Sequence, residues 1–472
     1  MYRPSASPHQ RLKGTFTRPV TNQTNTISSQ KEAISGQIKA MSSQPQSVTH
    51  NDSHSSASRS SNTAVVIGGG IVGVCCALYL QRDGYQVTLI DPARPGDSTA
   101  KWSCGQMAVS EVIPLSKPGI LKKIPGWLLD QQGPLALRPS AFPGILPWFL
   151  RFLACARHSR IVEIAAQMAT LTEHVYDDYQ PLLASCPDKQ LLGQRPIIEV
   201  FDSVAGLEHE RPHLDLRRDL GFKSEELDAD AIADLEPALA GKFRHGLLFP
   251  DWRAVSDTEG FIAALTGSFI AQGGQRIQTQ ATRLVEQQGQ ASGVVLDNGQ
   301  LCRADKIVVA AGTGSRPFFS QLGVSIPLAG IAGYQAVLPT PDVEFRHSVI
   351  YADGGFCFSP MVRGLQIGGT IEFAGEGAEP NFKRAEIILQ KAKRLLPQLN
   401  TSQLEFGVGY RPFLPDTKPV IDQSRRLSNV FMAFGHGQLG LTLGATTGRL
   451  ISDLVTGRRP AQDLTPFSAS RF

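Results

Sequence analysis

A run of glycines set between two apolar segments constrains this chain more than any other feature. Ala64-Val-Val-Ile runs into Gly68-Gly-Gly-Ile-Val-Gly73; an apolar helical stretch follows, then Gly84, the run Gln86-Val-Thr-Leu-Ile90, and Asp91. The spacing is GxGxxG at Gly68, Gly70 and Gly73, in the order strand, turn, helix, strand, acid. Gly68 permits a tight turn, Gly70 lets a pyrophosphate approach the backbone, and Gly73 lets helix pack close to strand. Ile71 and Val72 open the helix, whose N-terminus offers unpaired N–H groups to phosphate. Asp91, 23 residues after Gly68, stands where a carboxylate accepts hydrogen bonds from an adenosine ribose. A ribose 2′-phosphate would be repelled there, which argues against NADP and leaves NAD and FAD open.

Beyond the fingerprint, strand-like runs (Ile307–Ala310, Gly364–Ile367, Val430–Ala433) alternate with helical ones (Thr258–Gln272, Arg384–Leu396, Leu439–Thr456). This alternation predicts an α/β architecture. The apolar run Ala64–Leu80 is long enough to raise the question of a membrane span. Its central glycines make strand-turn-helix the better reading. Pro139–Ala156 carries Trp148, Phe149 and Phe152 and is interrupted by Pro143, Pro147 and Arg151. It reads as a core helix, with a surface dipping into a membrane interface as the alternative.

Residues 1–61 hold 20 Ser/Thr and seven Lys/Arg against two Asp/Glu. So polar a segment cannot bury enough surface to offset its ordering entropy, and it is expected to be a disordered tail, with Met41 a candidate true start. The remaining 39 basic and 40 acidic residues nearly cancel, so no nucleic-acid footprint is expected. Seven scattered cysteines without a CxxC pair argue against a zinc ribbon or a secreted disulfide framework, and no metal site is expected.

Three further segments carry a resemblance: Ser98-Thr-Ala-Lys-Trp-Ser-Cys-Gly-Gln106; Ile307-Val-Val-Ala-Ala-Gly-Thr-Gly-Ser315; and Gly409-Tyr-Arg-Pro412 with Pro415-Asp416, followed by Gly435-His-Gly-Gln-Leu-Gly-Leu-Thr442. In order and spacing the chain resembles the FAD-dependent amino-acid oxidoreductases of the D-amino-acid oxidase and glycine oxidase superfamily, nearest in pattern to the bacterial D-amino-acid dehydrogenase small subunit. The resemblance runs from about Thr63 to Pro460.

The resemblance implies an α/β fold: a Rossmann-like FAD-binding domain interleaved with a smaller α+β substrate domain containing an antiparallel sheet. The expected segments are FAD-binding at 62–115, 206–325 and 405–462, substrate or cap at 116–205 and 326–404, and a C-terminal tail at 463–472. It implies non-covalent FAD, because no cysteine follows Cys357 and no histidine lies between Asp91 and Gly126. Ser98 and Thr99 are expected to donate to phosphate, Gly105 and Gln106 to lie near the isoalloxazine, and Gly312 to allow close approach of a strand tip. Gly437, Gln438, Leu439 and Gly440 are expected to offer backbone donors to the flavin's pyrimidine edge. Arg411 is expected to hold a substrate carboxylate, with Tyr334 and Tyr351 as substrate-side hydroxyls and Gly368-Gly-Thr370 bordering the flavin face. His436 reads as a hydrogen-bonded turn residue.

The implied reaction is oxidative deamination of a D-amino acid. Hydride passes from the α carbon to flavin N5, and the imine hydrolyses to a 2-oxo acid and ammonia. D-hydroxyproline, glycine or sarcosine are alternative substrates, and oxygen, a quinone or a partner protein the alternative acceptors. Lys101, Trp102 and Cys104 depart from the family pattern, which keeps a non-catalytic flavoprotein subunit open as a different class of reading. Cys104 reads as a packing cysteine, with a reactive thiol as the alternative. The expected location is cytoplasmic, with a peripheral position on the inner membrane as the other reading.

Overall fold

The computed structural model describes residues 62–116, 133, 135–138, 141–188, 191–375 and 377–472. The Ser/Thr-rich segment 1–61 lies outside the described residues.

A six-stranded sheet carries the glycine fingerprint. Its order is Val420–Gln423, Val430–Phe434, Lys306–Val309, Thr63–Ile67, Gln86–Ile90 and Gln275–Ile277, with only the Val420–Gln423 edge antiparallel. Its central strands are apolar on both faces because both faces are covered. Ala64, Val66 and Val308 pack under the helices Ile71–Arg82 and Gly440–Thr456. Val65, Ile67, Ile307 and Val309 pack on the other side against the antiparallel meander Ala281–Gln287, Gln290–Leu296 and Leu301–Arg303. The two helices lie close because small residues line their contact: a Cβ on Gly448 would meet the Cys75 carbonyl at 2.7 Å.

A ten-stranded, mainly antiparallel sheet forms the second layer system. Its longest strand, Ala329–Leu338, pairs along its length with Glu405–Phe413, and on its other side with Gly364–Gly368 and Ile371–Phe373. The helix Lys383–Leu395 buries Ala385, Ile388, Leu389 and Ala392 at helical spacing beneath it. Two expected boundaries move. Strands Glu225–Leu227 and His245–Phe249 join this sheet beside Ile197–Phe201, so its contribution continues past residue 206. Strand Glu405–Phe413 also belongs to it, although 405 was the expected start of the last FAD-binding segment. In both places antiparallel pairing with strands distant in sequence keeps the chain in the large sheet.

The helix Phe142–Ala154 is a core element on one side: Trp148 stacks on Phe152 at 5.2 Å and packs against Phe373 at 5.4 Å. Leu146 and Leu150 on its other side are exposed. Among the described residues no helix is long and apolar enough to cross a membrane. The expected C-terminal tail is docked: Phe467 is fully buried, Ser468 donates to Asp422 at 2.7 Å and Arg471 to Asp416 at 2.8 Å.

Candidate functional site

Four parallel strands end at one cleft. Its wall holds Gly68, Gly70, Ile71 and Val72 after the first strand, Asp91 after the second, Ala310–Thr313 after Lys306–Val309, and Gly435–Gln438 after Val430–Phe434. Ligands of open α/β sheets bind at this carboxyl edge. Gly409, Arg411 and Pro412 bring the large sheet into the same wall.

At the nucleotide end the turn is built to bring backbone near a ligand. Gly68 has φ +108, and a Cβ there would lie 2.5 Å from the Ala310 carbonyl oxygen, so only glycine fits. Gly73 stands behind the wall rather than in it; its Cβ would strike the Gly68 carbonyl oxygen at 1.8 Å. The Asp91 carboxylate accepts from the Gly69 N–H at 2.5 Å and the Ala93 N–H at 2.8 Å. These two bonds hold the carboxylate at the cleft and leave it lone pairs for ribose hydroxyls. Ser98 Oγ is buried in the wall with no hydrogen-bond partner among the described residues. An orphaned buried hydroxyl is costly unless something in the cleft satisfies it, and a phosphate oxygen is the acceptor this helix N-terminus favours. Thr99 also lines the cleft, but its hydroxyl proton goes to the Tyr410 carbonyl at 3.2 Å, so it has none for phosphate.

The turn Gly435–Gly440 forms the opposite end. The expected set of four backbone donors is reduced there. The Gly437 N–H donates to the Pro412 carbonyl and the Leu439 N–H to the His436 carbonyl, each at 2.9 Å. Leu439 is buried and absent from this wall, whereas Gln438, Gly440 and Leu441 line it. The first turn of Gly440–Thr456 has N–H groups without intrahelical partners and puts positive potential at the cleft. His436 is buried, its Nε2 is 2.9 Å from Thr447 Oγ1, and burial pushes its pKa down to about 3. It is a neutral structural residue at physiological pH.

Gly105 and Gln106 do not reach the cleft wall. The Gly105 carbonyl accepts the Val255 N–H at 2.7 Å, and Gln106 pairs with Ala254 and donates from Nε2 to Ser348 Oγ at 2.7 Å. Trp102 and Ser103 line the wall in their place. Gly312 does line it, with φ +57. The three departures from the family pattern have local explanations. Lys101 pairs with Glu259 at 3.3 Å, Trp102 lies over Gly407 with Arg363 at 4.9 Å from its ring, and Cys104 meets Cys357.

Arg411 is half-buried and lies flat on Gly333, the strand position where a Cβ would meet its guanidinium at 2.4 to 2.6 Å. Its Nη1 donates only a long bond of 3.4 Å to the Thr370 carbonyl. Among the described residues no carboxylate sits beside it. Burial lowers its pKa, partly opposed by the Cys104 and Cys357 sulfurs, yet a guanidinium stays charged in proteins. A buried cation without a counter-charge is unfavourable, and a ligand carboxylate would relieve it.

Neither tyrosine is at the cleft. Tyr334 is fully buried on the opposite face of its strand. Its hydroxyl donates to the buried Glu372, accepts the Asn381 N–H at 2.9 Å, and has its pKa pushed up to about 12 by burial. Glu372 in turn holds Arg138 at 3.0 Å, so this is a structural triad. Tyr351 donates to Asp202 at 2.6 Å and packs on Phe243 and Phe356; burial, then Asp202, raises its pKa.

Known proteins place this architecture. Over 414 residues the chain is 33% identical to a D-amino-acid oxidase of Bradyrhizobium diazoefficiens, covering 86% of this chain and 98% of the relative. It is 30% identical over 404 residues to a D-amino acid dehydrogenase of Vibrio vulnificus, covering 84% and 96%. The fold matches iminodiacetate oxidase from Chelativorans sp. BNC1 with a TM-score of 0.65 at 19% identity, covering 86% and 98%. It also matches glycine oxidase from Bacillus cereus with a TM-score of 0.63 at 16% identity, covering 87% and 99%. Residues 63–454 match the DAO family, described as FAD dependent oxidoreductase. With that match spanning the cleft and both sheets, the chain belongs to the DAO family of FAD-dependent oxidoreductases.

Proposed function

We propose that this chain carries out FAD-dependent oxidative deamination of a D-amino acid, with Arg411 holding the substrate carboxylate. One observation carries the reading: a half-buried guanidinium without a carboxylate partner among the described residues, in the wall of the cleft whose other end is a nucleotide cradle. A planar guanidinium pairs bidentately with a carboxylate, which fixes orientation as well as contributing affinity. Ser98, Asp91 and the Gly68–Gly70 turn would hold the pyrophosphate and ribose of FAD, and the first turn of Gly440–Thr456 would face negative charge on the ring. Bound FAD would supply the two-electron acceptance that amine oxidation needs. The names of the two curated relatives support a D-amino acid over other amines. Lys101, Trp102 and Cys104 each have a local contact, which removes the motive for a non-catalytic reading.

The test is an anaerobic screen of the flavin-loaded protein, read as loss of flavin absorbance at about 450 nm. Bleaching by D-amino acids and not their L-forms is expected, with colour restored by air or by a quinone according to the acceptor used. A flavin untouched by every D-amino acid, but bleached by glycine, sarcosine or D-hydroxyproline, would move the substrate assignment. A flavin untouched by all of them would overturn the catalytic reading.

A further inference from the structure

Cys104 and Cys357 lie 253 residues apart in sequence, yet their sulfurs approach to 3.0 Å, and both are free thiols with partial exposure. Cys104 sits on the loop that follows the cleft residues Trp102 and Ser103; Cys357 sits on strand Phe356–Met361, opposite Gly368. Gly368 makes the space: a Cβ there would meet Cys104 Sγ at 2.9 Å and Gln335 Oε1 at 1.7 Å.

The surroundings are unequal. The Cys357 S–H pulls the Cys104 thiol below its usual range; burial opposes this, and Arg411, Ser359 and Gln366 reinforce it. Cys357 is pushed the other way, first by Cys104 and then by burial. An electropositive, donor-rich pocket around one sulfur, with a second sulfur in contact, is the arrangement of an attacking thiolate and a resolving thiol. Cys75, Cys76, Cys155 and Cys186 are buried, and burial raises the pKa of Cys302, so none of these offers such a pair of environments.

We propose that Cys104 and Cys357 form a redox-active dithiol that reduces a hydroperoxide and closes to a disulfide. The Cys104 sulfur attacks the peroxide. An S–O bond forms as the O–O bond breaks, and the departing oxygen takes a proton to leave as water or an alcohol. The Cys357 sulfur then attacks the resulting sulfenic acid. An S–S bond forms, the S–O bond breaks, and hydroxide leaves with the Cys357 proton as water. Two thiols are oxidised by two electrons in total and one peroxide is reduced.

The experiment uses the full-length, flavin-loaded protein with hydrogen peroxide as the probe, followed by denaturing alkylation and mass mapping. Of the seven cysteines, alkylation is expected to fall by two. A peptide pair joining Cys104 to Cys357 should appear, and dithiothreitol should restore both thiols. In Cys357→Ser, Cys104 should stop at the sulfenic acid and become labelled by dimedone. Should that variant fold poorly, the wild-type peptide map decides alone. Full alkylation of both residues after peroxide, a disulfide between other cysteines, or sulfinic acid at Cys104 with Cys357 still free would each overturn the proposal.

Discussion

Gly333→Ala is the sharpest perturbation of the proposed carboxylate clamp, because it adds one methyl group and no charge. That methyl would sit 2.4 Å from Nη1, 2.5 Å from Cζ and 2.6 Å from Nη2 of Arg411. Ordinary carbon contacts are about 3.5–4.0 Å, so the guanidinium must move by roughly 1 Å. Its tip is flexible and holds only the 3.4 Å bond to Thr370, so it will move and the strand will not. Gly333 is absent from the positive-φ glycines, and alanine in a strand gains roughly 0.5–1 kcal/mol over glycine. Stability should therefore hold or rise. A charge-assisted hydrogen bond is worth about 1.5–3 kcal/mol, and each ~1.4 kcal/mol is tenfold in rate. Misplacing the fork should thus lower kcat/KM about 10- to 150-fold, mostly through KM, with flavin content and Tm unchanged. Steady-state kinetics on D-amino acids, with thermal unfolding and the flavin spectrum alongside, read all three. A Gly333→Ala protein with wild-type KM would refute the placement of substrate at Arg411.

Other residues give separate tests. Ser98→Ala removes a hydroxyl with no partner among the described residues, so FAD affinity should weaken about 5- to 10-fold, the ~1 kcal/mol of one hydrogen bond, while apoprotein stability is unchanged; reconstitution titrations measure it. Tyr334→Phe takes a donor from buried Glu372 and should cost about 1–3 kcal/mol of stability while leaving KM alone, which separates a structural tyrosine from a substrate contact. His436 has a folded pKa of about 3, below its unfolded value near 6.5. Its contribution is therefore fully present above pH 6.5 and falls as pH drops toward 3, at up to ~1.4 kcal/mol per unit; denaturant titrations at pH 7 and 5 should show a slope that His436→Asn reduces.

What the sequence could and could not disclose follows from range. The glycine turn, its flanking strands and Asp91 are local, and the structure puts them at one edge of the parallel sheet. The place of Arg411 in the cleft wall was legible through the pattern around it. Tyr334 was not, because adjacent strand residues point to opposite faces. Gly333 carries Arg411 on the cleft side, so its neighbour Tyr334 turns to Glu372. Gly105 and Gln106 failed for a related reason: the loop is drawn toward Val255 and Ser348 by bonds to segments more than 140 residues away. The Gly437 and Leu439 donors were spent on Pro412 and His436, and hydrogen-bond accounting of that kind needs coordinates. Spacing gave no sign of Cys357 beside Cys104, since the contact is made between a loop and a strand with no shared motif.

The two sheets also explain how Arg411 and the turn Gly435–Gly440 can keep a fixed separation. Strand Glu405–Phe413 is held in register by Ala329–Leu338, with Arg411 opposite Ile331 and Pro412 opposite Gly330. Proline has no N–H to give, so at this position the strand's outward link is the Pro412 carbonyl, which accepts the Gly437 N–H at 2.9 Å. Phe413 then bridges to His436. One peptide unit therefore separates the guanidinium-bearing residue from the turn that opens Gly440–Thr456. A substrate held at Arg411 is positioned relative to that helix end by backbone bonds rather than by flexible side chains, and rate acceleration by positioning depends on that rigidity. The use of the Gly437 N–H for this link, rather than for a ligand, follows from the same geometry.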